Sequence, residues 1–168
     1  MVPLYGYSKI RERCIVDANF RSQNYSVVAA ITKSKILGYQ IFKGSVTSEE
    51  FGSFIASLLN ANPEIIKDRS RYVFFMDNAP IHKANSLKPL FENFNIAFNA
   101  PYSPFLNPIE EFFGNWKHIF RRKFRENTVN IIDKILHSAQ EINTDLLLSF
   151  YTHSMTFLKD CLKGNSII

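Results

Sequence analysis

Two short segments hold the side chains most able to do chemistry. The first is VFFMDNAPIH, residues 73–82, where Asp77 ends a continuous β-prone run and is followed within one turn by Asn78 and His82. An acid at the end of a buried strand is held rigidly just outside the rim of a sheet, and in open α/β sheets that rim is where ligands bind. Asp-Asn-Ala-Pro is also good turn chemistry, so Asp77 has a purely structural alternative. The second segment is PYSPFLNPIEEFF, residues 101–113. Its prolines hold an extended approach, and Asn107-Pro108 then opens a helix with Asn as N-cap and Pro at the first helical position. Glu110 stands three residues after the cap, where a glutamate can bond back to the cap's own amide, and Glu111 suits the helix dipole. Against those roles stands an acidic metal site.

The helix opened by Asn107 divides its surface. Ile109, Phe112, Phe113, Trp116, Phe120 and Phe124 form a broad apolar stripe for the core. Glu110, Gly114, Lys117 and Arg121 follow one another along an adjoining line, and Lys117, Arg121, Arg122, Lys123 and Arg125 with His118 make residues 112–125 free of acids. This face reads either as solvated charge or as a track for phosphates beside the acidic site.

These segments need a scaffold, and the rest of the chain spells one out. Tyr25–Thr32 and Ile36–Phe42 read as a hairpin joined by Lys33–Lys35. Ser45–Asn60 reads as a helix capped by Thr47 or Ser48, with Phe51, Phe54, Ile55, Leu58 and Leu59 at helical spacing. Arg71–Met76 shows no polar alternation, which predicts a central strand covered on both faces. Ser86–Phe94 is a short helix limited by Pro89, and Asn95–Asn99 a further strand. Helices follow over Pro108–Arg125, about Val129–Asn143 and about Asp145–Lys163. Strands, a helix, more strands and a helical C-terminal tail make an α/β layer design.

Composition sets the bounds. The 168 residues fit one domain, and 46% apolar content excludes a disordered chain. Lys and Arg exceed Asp and Glu by 20 to 15, giving +5 and a mild lean toward polyanionic partners. Cys14 and Cys161 lie at opposite ends without CxxC spacing, which excludes a disulfide framework and a cysteine zinc site; they read as two buried free thiols. No unbroken apolar stretch exceeds Tyr72–Met76, and the N-terminus lacks the apolar core of a signal peptide, so no membrane partner and no secretion are expected.

The pairing of DNAPIH with PYSPFLNPIEEFFGNWK resembles the catalytic domain of the Tc1/mariner and bacterial IS630-like transposases, which are DDE-superfamily endonucleases. GYSKIRERC, the hairpin and the EEFGSFIASLL helix are similar to that domain in order, so the resemblance runs from about Tyr5 to near the end. It implies a ribonuclease H-like mixed sheet with flanking helices. It further implies that Asp77 and Glu110, 33 positions apart (110 − 77), are the second and third ligands of two Mg²⁺ or Mn²⁺ ions used to cut and join DNA strands. Asn78 and His82 would support them, and Lys117, Arg121, Arg122, Lys123 and Arg125 would meet the DNA. Transposases of this kind imply assembly as a homodimer, and a nuclear location in a eukaryote or a cytoplasmic one otherwise.

The family's first Asp belongs on an opening strand ahead of the GYS segment. Residues 1–6 hold no acid, and the nearest, Glu12 and Asp17, follow that segment. The helix-turn-helix modules that precede this domain in the family are also not found. The expectation is a single, partial catalytic domain over 1–168 with its opening strand missing. The alternative is an inactive remnant that binds nucleic acid without sequence preference.

Overall fold

The computed structural model describes residues 23–123 and 130–164. Strands β1 (Tyr25–Ile31) and β2 (Ile36–Lys43) pair antiparallel, Tyr25 opposite Lys43, with the register shifting at Ala30/Ile31. Thr32 closes the turn: its amide donates to Lys35 O at 2.8 Å and its hydroxyl accepts the Lys35 amide at 3.1 Å. The polar link therefore shapes the hairpin, as expected of such residues.

Helix α1 (Ser48–Ala61) starts in a full capping box. Thr47 Oγ1 accepts the Glu50 amide at 3.2 Å, and Glu50 Oε2 accepts the Thr47 amide at 2.8 Å. Its buried residues are the five predicted, Phe51, Phe54, Ile55, Leu58 and Leu59. Thr47→Ala removes one acceptor of the box and should cost about 1 kcal/mol. Urea unfolding checks this as a lower midpoint at unchanged slope.

After the short helix α2 (Pro63–Lys67) the chain enters β3 (Val73–Met76), which pairs parallel with β4 (Asn95–Phe98), Met76 opposite Phe98. The crossover is made of 3₁₀ turns at Pro80–Lys83 and Asn85–Leu87 and the single-turn helix α3 (Lys88–Phe91). The helix predicted over Ser86–Phe94 thus shrinks to one turn. Pro89 fills its first turn, and Asn93, at φ 70°, turns the chain out of helical geometry.

One expectation for β3 is overturned. Val73 and Phe75 are 58% and 41% exposed, while Met76 is buried, so among the described residues the strand is covered on one face. An unbroken apolar run signalled burial on both faces, but only Tyr72, Phe74 and Met76, alternate residues of one face, pack in or against the core around α1.

The C-terminal half is helical: α4 (Pro108–Lys123), α5 (Ile131–Ala139) and α6 (Thr144–Leu162). Helix α5 is shorter than the predicted 129–143 because Asn143 caps the next helix instead, its Oδ1 accepting the Leu146 amide at 3.0 Å. The hairpin is the middle layer. Phe42 joins the core around α1, while Ala29 joins Phe112, Trp116 and Leu147 in a second core with α4–α6. Trp116 donates through Nε1 to the fully buried Ser138 Oγ at 2.8 Å, tying α4 to α5.

The described strands form two two-stranded sheets, β1–β2 and β3–β4. Consecutive residues of β1 (27–31) and of β3 (73–76) line one cavity of about 700 Å³ between them. Side chains alternate along a strand, so lining by consecutive residues means that the backbone edges face this cavity. Neither edge pairs with another described strand. Cys161 is exposed rather than buried, since α6 turns that face to solvent; Cys14, Glu12 and Asp17 lie outside the described residues.

Candidate metal and nucleic-acid site

Asp77 leaves the end of β3 half-exposed. Its Oδ1 accepts the Ala79 amide at 3.0 Å, so the turn role foreseen for this aspartate is real and occupies one oxygen. His82, on the following 3₁₀ turn, puts Nδ1 2.7 Å from the same Oδ1 but too obliquely for a directed hydrogen bond. The imidazole is wedged by α1, with its ring centre 4.6 Å from that of Phe51. His82 thus limits how Asp77 can turn.

Asn78 is a strut. Its Nδ2 donates to Asn99 O at the end of β4, and its Oδ1 accepts Lys83 Nζ at 2.6 Å. Buried Asn99 passes the connection on, its Nδ2 donating to Ser103 O at 2.6 Å. A continuous chain of hydrogen bonds therefore links the residue beside Asp77 to the loop that delivers Glu110. Asn99 and Lys83 were not singled out from the sequence. An asparagine between a β-prone run and Pro101 was the available sign for the first, because such side chains bond to nearby backbone.

Glu110 settles its own alternative. The buried Asn107 caps α4 loosely, its Oδ1 accepting the Ile109 amide at 3.4 Å, and the Glu110 amide donates to Asn107 O at 3.0 Å. The Asn107 amide, which a capping-box glutamate would take, donates to Pro104 O at 2.9 Å. Glu110 is exposed and its carboxylate is left out of the cap. Glu111 is recruited elsewhere: its Oε1 lies 2.6 Å from Nδ1 of His153 on α6, a pairing the sequence did not signal.

Asp77, His82 and Glu110 line the same cavity, the one between the two sheets, and α6 closes another side of it with Tyr151, Ser154, Met155 and Leu158. Burial pushes the Tyr151 phenol up, keeping it a neutral donor toward Ile31 O. The buried Ser154 Oγ, without a hydrogen-bond partner among the described residues, belongs to a residue lining this cavity. Such atoms are normally satisfied, which marks the cavity as a place where further polar groups fit.

The donor chemistry suits a hard cation, since Asp77 and Glu110 both offer carboxylate oxygens. Among the described residues no group of three or more His, Cys, Asp or Glu is placed to hold a metal ion.

Along α4, Gly114, Lys117 and Arg121 are exposed in line with Glu110, and a Cβ at Gly114 would meet nothing within 4 Å. The buried side is Phe112, Trp116 and Ile119, with Ile109, Phe113 and Phe120 half-buried; Phe124 lies outside the described residues. Arg122 leans toward α5 and α6, with Nη2 3.7 Å from Glu141 Oε2. Lys123 ends the described part of α4, and Arg125 lies beyond it.

An α/β domain with carboxylates at the rim of a divided sheet defines a class, and the family comparison names it. Residues 1–132 match the family model described as DDE superfamily endonuclease, and the chain belongs to that family. The mariner transposase Mos1 provides similar solved structures. A pre-cleavage Mos1 transpososome matches with TM-score 0.73 and 18% identity over 98% of this chain and 52% of that one. The Mos1 catalytic domain with raltegravir and Mn matches with TM-score 0.71 and 20% identity over 84% of this chain and 76% of that one. A Mos1 strand transfer complex matches with TM-score 0.70 and 18% identity. No curated protein matches. The fold is that of the Mos1 catalytic domain, so the resemblance drawn from the two motifs holds for the DDE endonuclease superfamily and for the fold. This chain spans about half the length of the Mos1 chain in the transpososome.

Proposed function

We propose that this chain is the catalytic domain of a Tc1/mariner-type transposase, which cuts and joins DNA strands with Mg²⁺ or Mn²⁺ held by Asp77 and Glu110. The observation supporting this reading is that both motif acids line one cavity, with Glu110 free of the capping role that would otherwise explain it. Mos1 structures containing Mg or Mn favour the same metals here. Divalent ions supply an activated water or hydroxyl and neutralise charge on the leaving oxygen.

Each residue then has a task. Asp77 and Glu110 hold the metals; His82 restrains Asp77; Asn78 keeps the end of β3 in register with β4 and the Glu110 loop. Lys117 and Arg121, exposed beside Glu110, hold the phosphate backbone, with Arg122, Lys123 and Arg125 extending the track. The third carboxylate would stand on a strand beside β1 and β3, whose cavity-facing edges pair with no other described strand. The similarity to Mos1 complexes, among them a paired-end complex, favours a DNA-bound dimer working where the DNA is, in the nucleus of a eukaryote or the cytoplasm of a bacterium. The test is nicking of supercoiled DNA by a chain carrying an acid-bearing strand ahead of Met1. Cutting should require Mg²⁺ or Mn²⁺, and its absence with both metals counts against the reading.

A second reading has one observation in its favour: no group of three or more possible metal ligands is found among the described residues. On it the domain only binds nucleic acid, without sequence preference. Both readings share one expected result: affinity falls steeply as salt rises, and Lys117→Ala with Arg121→Ala lowers the salt slope by about two, one per lost phosphate contact. Titrations at several salt concentrations measure it; an unchanged slope removes α4 from the interface.

A further inference from the structure

A second concavity adjoins the site. It measures about 600 Å³, within the range of small-ligand clefts, and lies between the Pro80–Leu87 turns, α3 and β4. Its walls include buried Leu87 and Phe91, together with Ile96 and Phe98, which are 37% and 40% exposed. Its charged residues are Lys83 and Lys88 against the single acid Glu92.

The groove continues the site in two ways. His82 is a common wall: it lines the groove, and its Nδ1 lies 2.7 Å from Asp77 Oδ1. Lys83 is a common cation: its Nζ sits 4.9 Å from the centre of the Phe98 ring and 2.6 Å from Asn78 Oδ1. An apolar slot with an accessible aromatic face, cations in excess and a nuclease site next door has the makings of a stacking platform for single-stranded nucleic acid. A duplex keeps its bases stacked inward and cannot use such a slot.

We propose that this groove receives an unpaired nucleotide of the DNA strand whose neighbouring phosphate lies at Asp77 and Glu110. The base stacks on Phe98 and Ile96 above Leu87, and its phosphate meets Lys88 and Lys83. The inference rests on the DNA-cutting reading above and adds that the substrate is opened, or presents a single-stranded end, beside the carboxylates.

The test compares binding of the 168-residue chain to a blunt duplex and to the same duplex with a short single-stranded overhang, by fluorescence anisotropy at one salt concentration. The overhang should bind about tenfold more tightly. Phe98→Ala should abolish most of that preference while leaving blunt-duplex binding, carried by Lys117 and Arg121, unchanged. Circular dichroism checks the fold of Phe98→Ala; should it unfold, Lys88→Gln, an exposed position, decides by reducing the preference. Equal binding of the two DNAs, or a preference that survives both substitutions, overturns the groove and spares the DNA reading. Binding of neither DNA overturns the DNA reading and the groove with it.

Discussion

Asp77→Asn and Glu110→Gln should each reduce Mg²⁺-dependent nicking by about 10³-fold or more, in a chain carrying the acid-bearing opening strand. Losing a metal-holding carboxylate forfeits several kcal/mol of charge stabilisation, and every 1.4 kcal/mol is tenfold in rate. The amides are chosen because they keep the fold. Asn at position 77 still offers an oxygen to the Ala79 amide, 3.0 Å away in the parent, so the turn after β3 survives. Gln at position 110 disturbs no cap, because the Asn107 amide already donates to Pro104 O. Undiminished nicking by both variants would remove these two residues from the site.

Phe112→Ala should destabilise the chain by about 3–5 kcal/mol, a large part of the roughly 5–15 kcal/mol that holds a domain together. Phe112 is fully buried where α4 meets the hairpin and α6, its ring centre 5.3 Å from that of Phe113 and 5.4 Å from that of Trp116. The surrounding rings cannot close over a lost benzyl group without leaving their own partners: Tyr39 packs edge-on against Trp116 at 5.2 Å, and the Trp116 indole is pinned to Ser138. Trp116 is the chain's single tryptophan, so its fluorescence during urea unfolding reports on this core. A shift in stability below about 1 kcal/mol would show that the α4 face is not the anchor its burial implies. Because α4 also presents Glu110, this core bears on the site as well.

The legible parts of the sequence were those whose signals are local. Thr47 or Ser48 ahead of an apolar pattern announces a helix start, which the structure resolves to Thr47, and five apolar residues at helical spacing announce the buried face of α1. Asn107-Pro108 marks the start of α4, and the charged line Glu110–Gly114–Lys117–Arg121 does face solvent. The errors arose where a local pattern had two meanings. The apolar run at β3 does not reveal whether both faces are covered, and Val73 and Phe75 stay exposed. Asn143 could end one helix or begin the next, and its side chain chooses the next. Pairings distant in sequence left no trace at all: Glu111 with His153 is 42 residues apart, and Asn78 reaches Asn99 across the crossover. For the site, residue types showed which groups do chemistry, but only the backbone geometry after Pro104 showed that Glu110 is free for it.

The central claim is that Asp77 and Glu110 grip the same divalent cation. Mn²⁺ titration followed by NMR tests it most directly, because a bound paramagnetic ion broadens the signals of nearby amides even when binding is weak. The amides around Asp77–Ala79 and those around Ile109–Glu111 should broaden together at one Mn²⁺ concentration, and Asp77→Asn or Glu110→Gln should remove both effects. Broadening at one segment alone, or at both segments with independent concentration dependences, would contradict it.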